Sequence, residues 1–231
     1  RYRRASFNVF VGNAWQTRNA PLAPLQPEGD GSTWTLAKGE APRALRVVAK
    51  GDDGRAMLPI PAGTRRIVGL AATSLRANEF GAALAETPEP WVRYEALYGD
   101  GMEGYGAPSN DDVALPGSER AAVERVAASL GLAGLAPAAA VARVQAHLGE
   151  FRYSTFREEA IPRDRTALAD FLEHSRAGHC EYFAAAAALL LRAAGVPTRY
   201  ATGFAVLEYS DLEGAWLVRA RHAHAWTRAW V

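Results

Sequence analysis

The last third of the sequence contains one cysteine and two closely spaced histidines, the residue types that thiol-based catalysis requires. Cys180 is the only cysteine, and it precedes an Ala- and Leu-rich run that predicts a helix. The positive end of a helix dipole favours a thiolate over a thiol. A catalytic thiolate also needs a histidine about 3 Å away. His222 and His224 lie on a predicted final strand, where a period of two places both on one face. The pattern indicates a Cys–His pair.

The same residues also have structural interpretations, which spacing alone leaves open. A single Cys on an apolar helix is more often a core residue. His179 is interpreted as a polar residue of the first helical turn, and His147 and His174 are predicted to be solvated. The His-Ala-His spacing of His222 and His224 could suit a metal, but no third ligand has matching spacing, so we predict no metal site.

The elements around Cys180 are predicted from helical periodicity followed by strand patterns. Ser118 is the expected N-cap of a first helix with Ala122, Val123, Val126 and Leu130 on its apolar face. The helix after Cys180 is expected to end at Gly195, with Pro197 just beyond it. Other predicted elements are a helix with Val141, Val144 and Leu148 on one face, a helical segment over residues 165–175, and strands over 198–206 and 214–231. Helices followed by strands, without alternation, indicate an α+β domain.

The first half of the chain has a different character, because short β-prone runs alternate with Gly, Pro and Asp clusters. This spacing predicts a small sandwich or open sheet. A Gly-rich connector at residues 98–112 suggests a boundary. We therefore predict a β-rich domain at 1–105, a linker at 106–117 and an α+β domain at 118–231. The predicted strands cover residues 6–11, 33–36, 44–49, 65–72 and 91–98.

Composition excludes several functional classes. The 231 residues carry a formal net charge of +1, so no global field attracts nucleic acid or anionic lipid. A single cysteine rules out an internal disulfide and a cysteine-rich zinc site. The sequence contains no uninterrupted run of 18 apolar residues, so it predicts no membrane span. It also contains no EF-hand calcium loop. The chain begins at Arg1 without a signal peptide, which suggests part of a longer protein.

The second half of the chain contains two separated motifs, GHCEYFAAAAALLLRAAGVPTRYATGF at residues 178–204 and AHAW at residues 223–226. They resemble the nucleophile signature and the histidine motif of the transglutaminase-like superfamily, in particular of the bacterial TgpA-like membrane proteins. FRYS, residues 151–154, and LADFL, residues 168–172, match the stretch upstream of the nucleophile. The matching positions within the first segment are Gly178, Cys180, Glu181, Phe183, Leu189, Leu190, Leu191, Arg192, Gly195, Pro197, Arg199, Thr202 and Gly203.

The resemblance implies a papain-like transglutaminase core preceded by a small β-rich domain, with Cys180 and His224 catalytic and His222 secondary. It implies acyl transfer from glutamine-type carboxamides to an amine or water, without a cofactor. The expected partners are protein or peptide substrates that supply the glutamine and the amine. The resemblance also implies an extracytoplasmic location, next to membrane helices outside this segment.

Three questions stay open from the sequence. The orienting Asp of the family is expected beyond Val231, and Asp211 is a poor substitute because it precedes the histidine strand in a turn. The backbone N–H of Cys180 is expected to form part of an oxyanion hole; Tyr153 is a candidate second donor, although packing is the preferred interpretation. The alternatives in function are a peptidase or amidase on the same scaffold and a noncatalytic binding module.

Overall fold

The computed structural model describes residues 1–100, 106–156 and 161–231. Residues 101–105 of the predicted connector lie outside this description. The chain divides into two compact units. The first, here called the β unit, comprises Arg1–Ser6, Asn19–Ala107 and Thr202–Ala223; the second, the helical unit, comprises Phe7–Arg18, Pro108–Ala201 and His224–Val231. The three linear segments predicted from sequence stay a prediction.

The secondary structure consists of short strands in the first half and helices followed by strands in the second. The strands are β1 Tyr2–Phe7, β2 Val9–Val11, β3 Ala14–Gln16, β4 Ala23–Leu25, β5 Trp34–Thr35, β6 Arg43–Lys50, β7 Arg55–Met57, β8 Thr64–Val68, β9 Ser74–Ala77, β10 Ala83–Glu86, β11 Trp91–Tyr98, β12 Arg152–Tyr153, β13 Ala177–Gly178, β14 Thr198–Phe204, β15 Glu208–Ser210, β16 Ala215–Leu217 and β17 Ala223–Ala229. The helices are α1 Gly117–Ser129, α2 Pro137–Gly149, α3 Ala167–Asp170 and α4 Cys180–Ala193.

The β unit contains two four-stranded antiparallel sheets, in the orders β4-β9-β10-β7 and β5-β8-β11-β6. The longest pairing joins β11 to β6 over eight residues, from Trp91 opposite Lys50 to Tyr98 opposite Arg43. Alternate residues of β11 point inward, since Val92, Tyr94 and Ala96 are all buried. They join a core that includes Trp34, Leu58, Ile67 and Leu75. Burial of one sheet face therefore stabilises this unit.

Tyr94 gives the β unit a testable dependence on alkaline pH. Its side chain is buried, its hydroxyl donates to the Pro59 carbonyl at 2.8 Å, and burial raises its pKa well above the ordinary value. The unfolded chain therefore loses this proton first. The associated stability is present below about pH 10 and is lost as the pH rises, by about 1.4 kcal/mol per pH unit. Tyr94→Phe should cost about 1 kcal/mol at neutral pH and flatten the loss in urea unfolding above pH 10. An equally steep loss in the Phe variant contradicts this assignment.

In the helical unit, α4 is the central helix, because most of its residues are buried among the other helices. Its leucines pack with Val123 of α1, Val144 of α2 and Phe171. Helix α1 begins at Gly117 with Pro116 as its N-cap, so the prediction of Ser118 as N-cap was wrong. Ala122, Val123 and Val126 are buried as predicted. Helix α3 continues into a π-helical turn, Phe171–Ser175, and ends at Arg176 with a φ of 46°.

Two buried arginines hold the end of α4 and the start of β14. Arg199 forms a two-bond ion pair with Asp112, with Nε–Oδ1 at 2.9 Å and Nη2–Oδ2 at 3.1 Å. Arg192 instead donates to neutral acceptors: the carbonyls of Asn8, Ala114 and Thr198 and the Thr198 hydroxyl. Burial lowers the pKa of Arg192 to about 10. These contacts fix the position of β14, the strand that follows α4.

Strand β14 belongs to both units along its length. Residues 198–201 lie in the helical unit, where Trp230 just after β17 donates its N–H to the Pro197 carbonyl at 3.1 Å. Residues 202–204 lie in the β unit beside β1. A Cβ added to Gly203 would sit 2.0 Å from the Tyr2 carbonyl oxygen, so this strand approach requires glycine.

No helix within the described residues is long and apolar enough to cross a membrane.

Candidate active site

Cys180 is the first residue of α4, as its sequence context predicted. His179 occupies the N-cap with extended backbone, φ −98° and ψ −178°, and its side chain makes no capping hydrogen bond. The thiol is free and partly exposed rather than sealed in the core. First-turn N–H groups of a helix have no intrahelical acceptor and carry the positive end of its dipole. The helix therefore presents its only thiol at an end suited to hold negative charge.

A short two-stranded sheet places Tyr153 opposite Gly178, two residues before Cys180. Strand β12 runs parallel to β13 with Tyr153 opposite Gly178, and the Ser154 N–H donates to the Gly178 carbonyl at 2.8 Å. The Tyr153 side chain lies near enough to Cys180 for the two groups to interact electrostatically. Burial, followed by the charge of Cys180, raises the pKa of Tyr153. The Tyr153 ring also stacks on Phe183, with centroids 6.1 Å apart, so the packing role and the role as oxyanion donor both stay predictions.

Gly178 is needed here for aromatic packing. A Cβ at this position would lie 3.0 Å from the Tyr182 ring and 3.1 Å from the Phe171 ring. Both rings pack against each other, with centroids 5.5 Å apart. Aromatic side chains therefore occupy the space beside Gly178 and pack against the turn that leads into Cys180.

His224 lies on β17, which packs against α4. Ala225 forms a small buried cluster with Ala184 and Tyr200, and Cys180 packs against the same cluster. The Thr227 hydroxyl donates to the Ala184 carbonyl at 2.7 Å, so the strand follows the first turns of α4. The His224 ring is partly buried and stacks on Trp226, with centroids 6.4 Å apart. His224 is thus the sequence neighbour of Ala225, which packs in the same cluster as Cys180.

His222 lies outside β17, so the prediction that both histidines lie on the final strand was wrong. It ends a 3-10 turn, Ala220–His222, that precedes β17. Its Nδ1 accepts the Arg219 N–H at 3.2 Å, and its Nε2 lies 3.7 Å from Glu208. Hydrogen bonds from Arg219, followed by its charge and that of Arg221, lower the pKa of Glu208. These contacts lie within the β unit, and the secondary role of His222 stays a prediction.

The remaining histidines show one agreement and one correction. His174 is exposed, as predicted. His147 is partly buried, with its ring 5.0 Å from the Phe151 ring, and burial lowers its pKa. The prediction that His147 is solvated was therefore wrong, because the last turn of α2 folds over Phe151. Among residues 1–100, 106–156 and 161–231, no group of three His, Cys, Asp or Glu side chains could hold a metal ion.

The second half of the chain is similar to known proteins. Residues 125–231 match the family model of the transglutaminase-like superfamily. A protein-glutamine gamma-glutamyltransferase from Pseudomonas aeruginosa is 36% identical over 91 residues, which cover 38% of this chain and 14% of that protein. The uncharacterized protein YebA from Bacillus subtilis is 29% identical over 96 residues, which cover 39% of this chain and 13% of that protein. The chain thus spans a small part of these relatives.

Two solved structures are similar in fold to this chain over its whole length. The crystal structure of the periplasmic domain of TgpA from Pseudomonas aeruginosa superposes with a TM-score of 0.74 at 22% identity, covering 100% of this chain and 77% of that chain. The same domain bound to ethylmercury gives a TM-score of 0.66 at 20% identity, covering 100% and 79%. The predicted α+β fold class and family resemblance are confirmed. The chain has a fold similar to that of the TgpA periplasmic domain, and its residues 125–231 match the model of the transglutaminase-like superfamily.

Proposed function

We propose that this chain performs cysteine-dependent acyl transfer on glutamine-type carboxamides, with Cys180 as nucleophile and His224 as base. The observation that carries the proposal is the partly exposed Cys180 thiol at the first position of α4, where the helix end favours a negative charge. A structural core cysteine has no need of a helix end. The choice of His224 is supported by the match of residues 125–231, which include the AHAW segment, to the transglutaminase-like family model.

The reaction follows from the roles of these groups. The Cys180 thiolate attacks the carboxamide carbon, and the carbonyl electrons move onto oxygen, where the Cys180 N–H donates to the oxyanion. As the C–N bond breaks, the His224 imidazolium gives its proton to the leaving nitrogen, and ammonia departs. A thioester to Cys180 remains. A primary amine then attacks the thioester while neutral His224 accepts its proton, which forms an amide and restores the thiolate.

Hydrolysis is the second outcome of the same intermediate. If water replaces the amine, the products are a glutamate side chain and ammonia, and attack on a peptide bond in the first step would give a peptidase. The relative from Pseudomonas aeruginosa, a protein-glutamine gamma-glutamyltransferase by name, favours amine transfer. We further propose protein or peptide substrates and an extracytoplasmic location, by analogy with the periplasmic domain whose fold is similar.

Trapping the acyl-enzyme tests this function in the full-length protein. Incubation with a glutamine-containing peptide at low amine concentration should add the mass of the peptide less one ammonia, and the adduct should map to Cys180. Cys180→Ser is the matched control, since it keeps the size of the side chain but lowers its nucleophilicity. Adding a primary amine should then divert product from glutamate to the amide. A protein that forms no adduct with any glutamine peptide, and shows no amine incorporation, rules out the proposal in favour of a noncatalytic module.

A further inference from the structure

Strands β15 and β16 form a two-stranded hairpin that turns an apolar face outward. Tyr209 lies opposite Trp216, and their rings meet edge to face with centroids 5.4 Å apart. Because side chains two residues apart share one face of a strand, Leu207 and Val218 flank this aromatic pair on the same side. These four side chains, here called the apolar face, are 42% to 75% exposed. Contiguous apolar side chains on a protein surface are typical of a binding site.

The opposite face of the hairpin is anchored by polar contacts within the β unit. Glu208 accepts from the guanidinium groups of Arg219 and Arg221, with the shortest distance 2.7 Å in each case. The base of the hairpin is closed by the Ala205 N–H, which donates to the His222 carbonyl at 2.9 Å. All five residues belong to the β unit. The hairpin is therefore held at its base and on one face, while the apolar face is left exposed.

The hairpin is also acidic at its turn. Residues 207–218 contain three carboxylates and no lysine or arginine. Glu208 is paired with two arginines, whereas neither Asp211 nor Glu213 forms an ion pair with any residue that the structure describes. These two carboxylates, here called the acidic tip, flank Leu212, which is 96% exposed. The same hairpin thus presents apolar rings and negative charge.

This combination distinguishes between kinds of partner. An anionic lipid surface would repel the acidic tip, and burying its carboxylates in a bilayer is costly. A second copy of the chain, docked through the same face, would bring like charges together. A polypeptide with both apolar side chains and lysines meets both requirements, because it removes the rings from water and places ammonium groups beside Asp211 and Glu213.

We propose that the apolar face and the acidic tip dock a lysine-rich segment of the protein that supplies the amine. The role of that segment as amine substrate rests on the proposed function, in which a primary amine attacks the thioester; binding of the segment does not depend on it. The hairpin interrupts the chain between β14 and β17, the strand that carries His224. The docking surface and the proposed base therefore belong to one continuous stretch of the chain.

Binding of a defined peptide tests the surface without turnover. The probe is a fluorescein-labelled nonapeptide of alternating lysine and valine, titrated by anisotropy against the full-length protein carrying Cys180→Ala. Trp216→Ser should weaken binding by about 10- to 100-fold, as expected for a central aromatic residue of an interface. Asp211→Asn with Glu213→Gln should weaken it by about 3- to 10-fold and remove most of its salt dependence. Trp91→Ser, which removes a similarly exposed tryptophan of the β unit, is the matched control.

The transfer reaction provides a second measurement, made with Cys180 intact and a glutamine peptide as acyl donor. Trp216→Ser should raise KM for the lysine–valine peptide by about tenfold or more and leave kcat unchanged, because the lost contact lies away from the reacting atoms. A small primary amine such as cadaverine is too short to cover the apolar face, so its KM should be the same in native and variant proteins. Equal rises in both KM values overturn the docking role.

The outcomes separate the surface from the chemistry. Peptide binding that Trp216→Ser and Tyr209→Ser each weaken, and Trp91→Ser does not, supports the surface; the second variant covers misfolding of the first. Absence of binding overturns it, as do equal binding of a glutamate–valine peptide, docking to phosphatidylglycerol vesicles instead, or a dimer that Trp216→Ser dissociates. Binding with an unchanged KM overturns the role in supplying the amine. If the native protein binds the peptide but transfers no acyl group, the proposed function fails and the docking surface stands.

Discussion

Cys180→Ala is expected to reduce amine incorporation into a glutamine peptide by at least about a thousandfold in the full-length protein, because no other group can form the thioester. The fold should survive the change, since Cys180 is partly exposed at the first helical position and alanine is a strong helix former. The measurement is the initial rate with a fluorescent primary amine, together with thermal unfolding of both proteins. Residual activity near the native rate would remove Cys180 from the mechanism.

The same assay tests His224 as the base. His224→Ala should lower the same rate by about 10²- to 10⁴-fold, the usual contribution of a general acid–base. It should also slow alkylation of Cys180 near neutral pH, because the thiolate loses its imidazolium partner. His174→Ala is the matched control, since this exposed histidine lies on the same unit. If His224→Ala and His174→Ala behave alike, the base must be another group.

Asp112→Ala carries the largest expected effect on stability, a loss of about 3–5 kcal/mol in the free energy of unfolding. The side chains of Arg199 and Asp112 are 2% and 0% exposed. Removing the carboxylate leaves the guanidinium buried beside the Trp230 ring without its ion-pair partner. Asp112 also accepts the Ser109 N–H at 2.8 Å, so the turn before α1 loses its cap. Urea unfolding of the native and variant proteins measures the difference.

Two comparisons make this test specific. Replacing both partners by apolar residues, Asp112→Leu with Arg199→Met, should recover much of the loss, because no buried charge remains uncompensated. Glu124→Ala removes an exposed carboxylate that pairs with Arg120 at 3.2 Å, and it should change stability by less than about 1 kcal/mol. Should Asp112→Ala prove as mild as Glu124→Ala, the buried pair does not stabilise the helical unit as described.

Helix α4 could be predicted closely because its boundaries depend on local chemistry. Cys180 begins the helix. Gly195 follows its end with a φ of 77°, a conformation that glycine adopts freely. The prediction of Ser118 as the N-cap of α1 was wrong, because Pro116, whose φ is fixed by its ring, already provides the extended residue before the helix. The longer strands β6 and β11 could also be predicted, since eight residues of alternating burial give a clear signal.

Features set by distant partners could not be predicted. The short strands β7, β9 and β10 have three or four residues each, and they exist because they pair with one another. The sequence around His222 reads as part of a strand, but Arg219 donates its N–H to that ring and turns the chain. Likewise, the position of Tyr153 near Cys180 depends on a parallel pair of two-residue strands, which no local pattern announces.

The Arg192 contacts have a consequence for how the protein is made. The Asn8 carbonyl and the Arg192 guanidinium are separated by 184 positions in sequence, and residues 7–18 belong to the helical unit. During synthesis on the ribosome, this early segment must wait until α4 has emerged before it can take its place. Such long-range closure slows folding. Arginine is also hard to replace here, because lysine offers one compact ammonium where four acceptors converge on a planar fork.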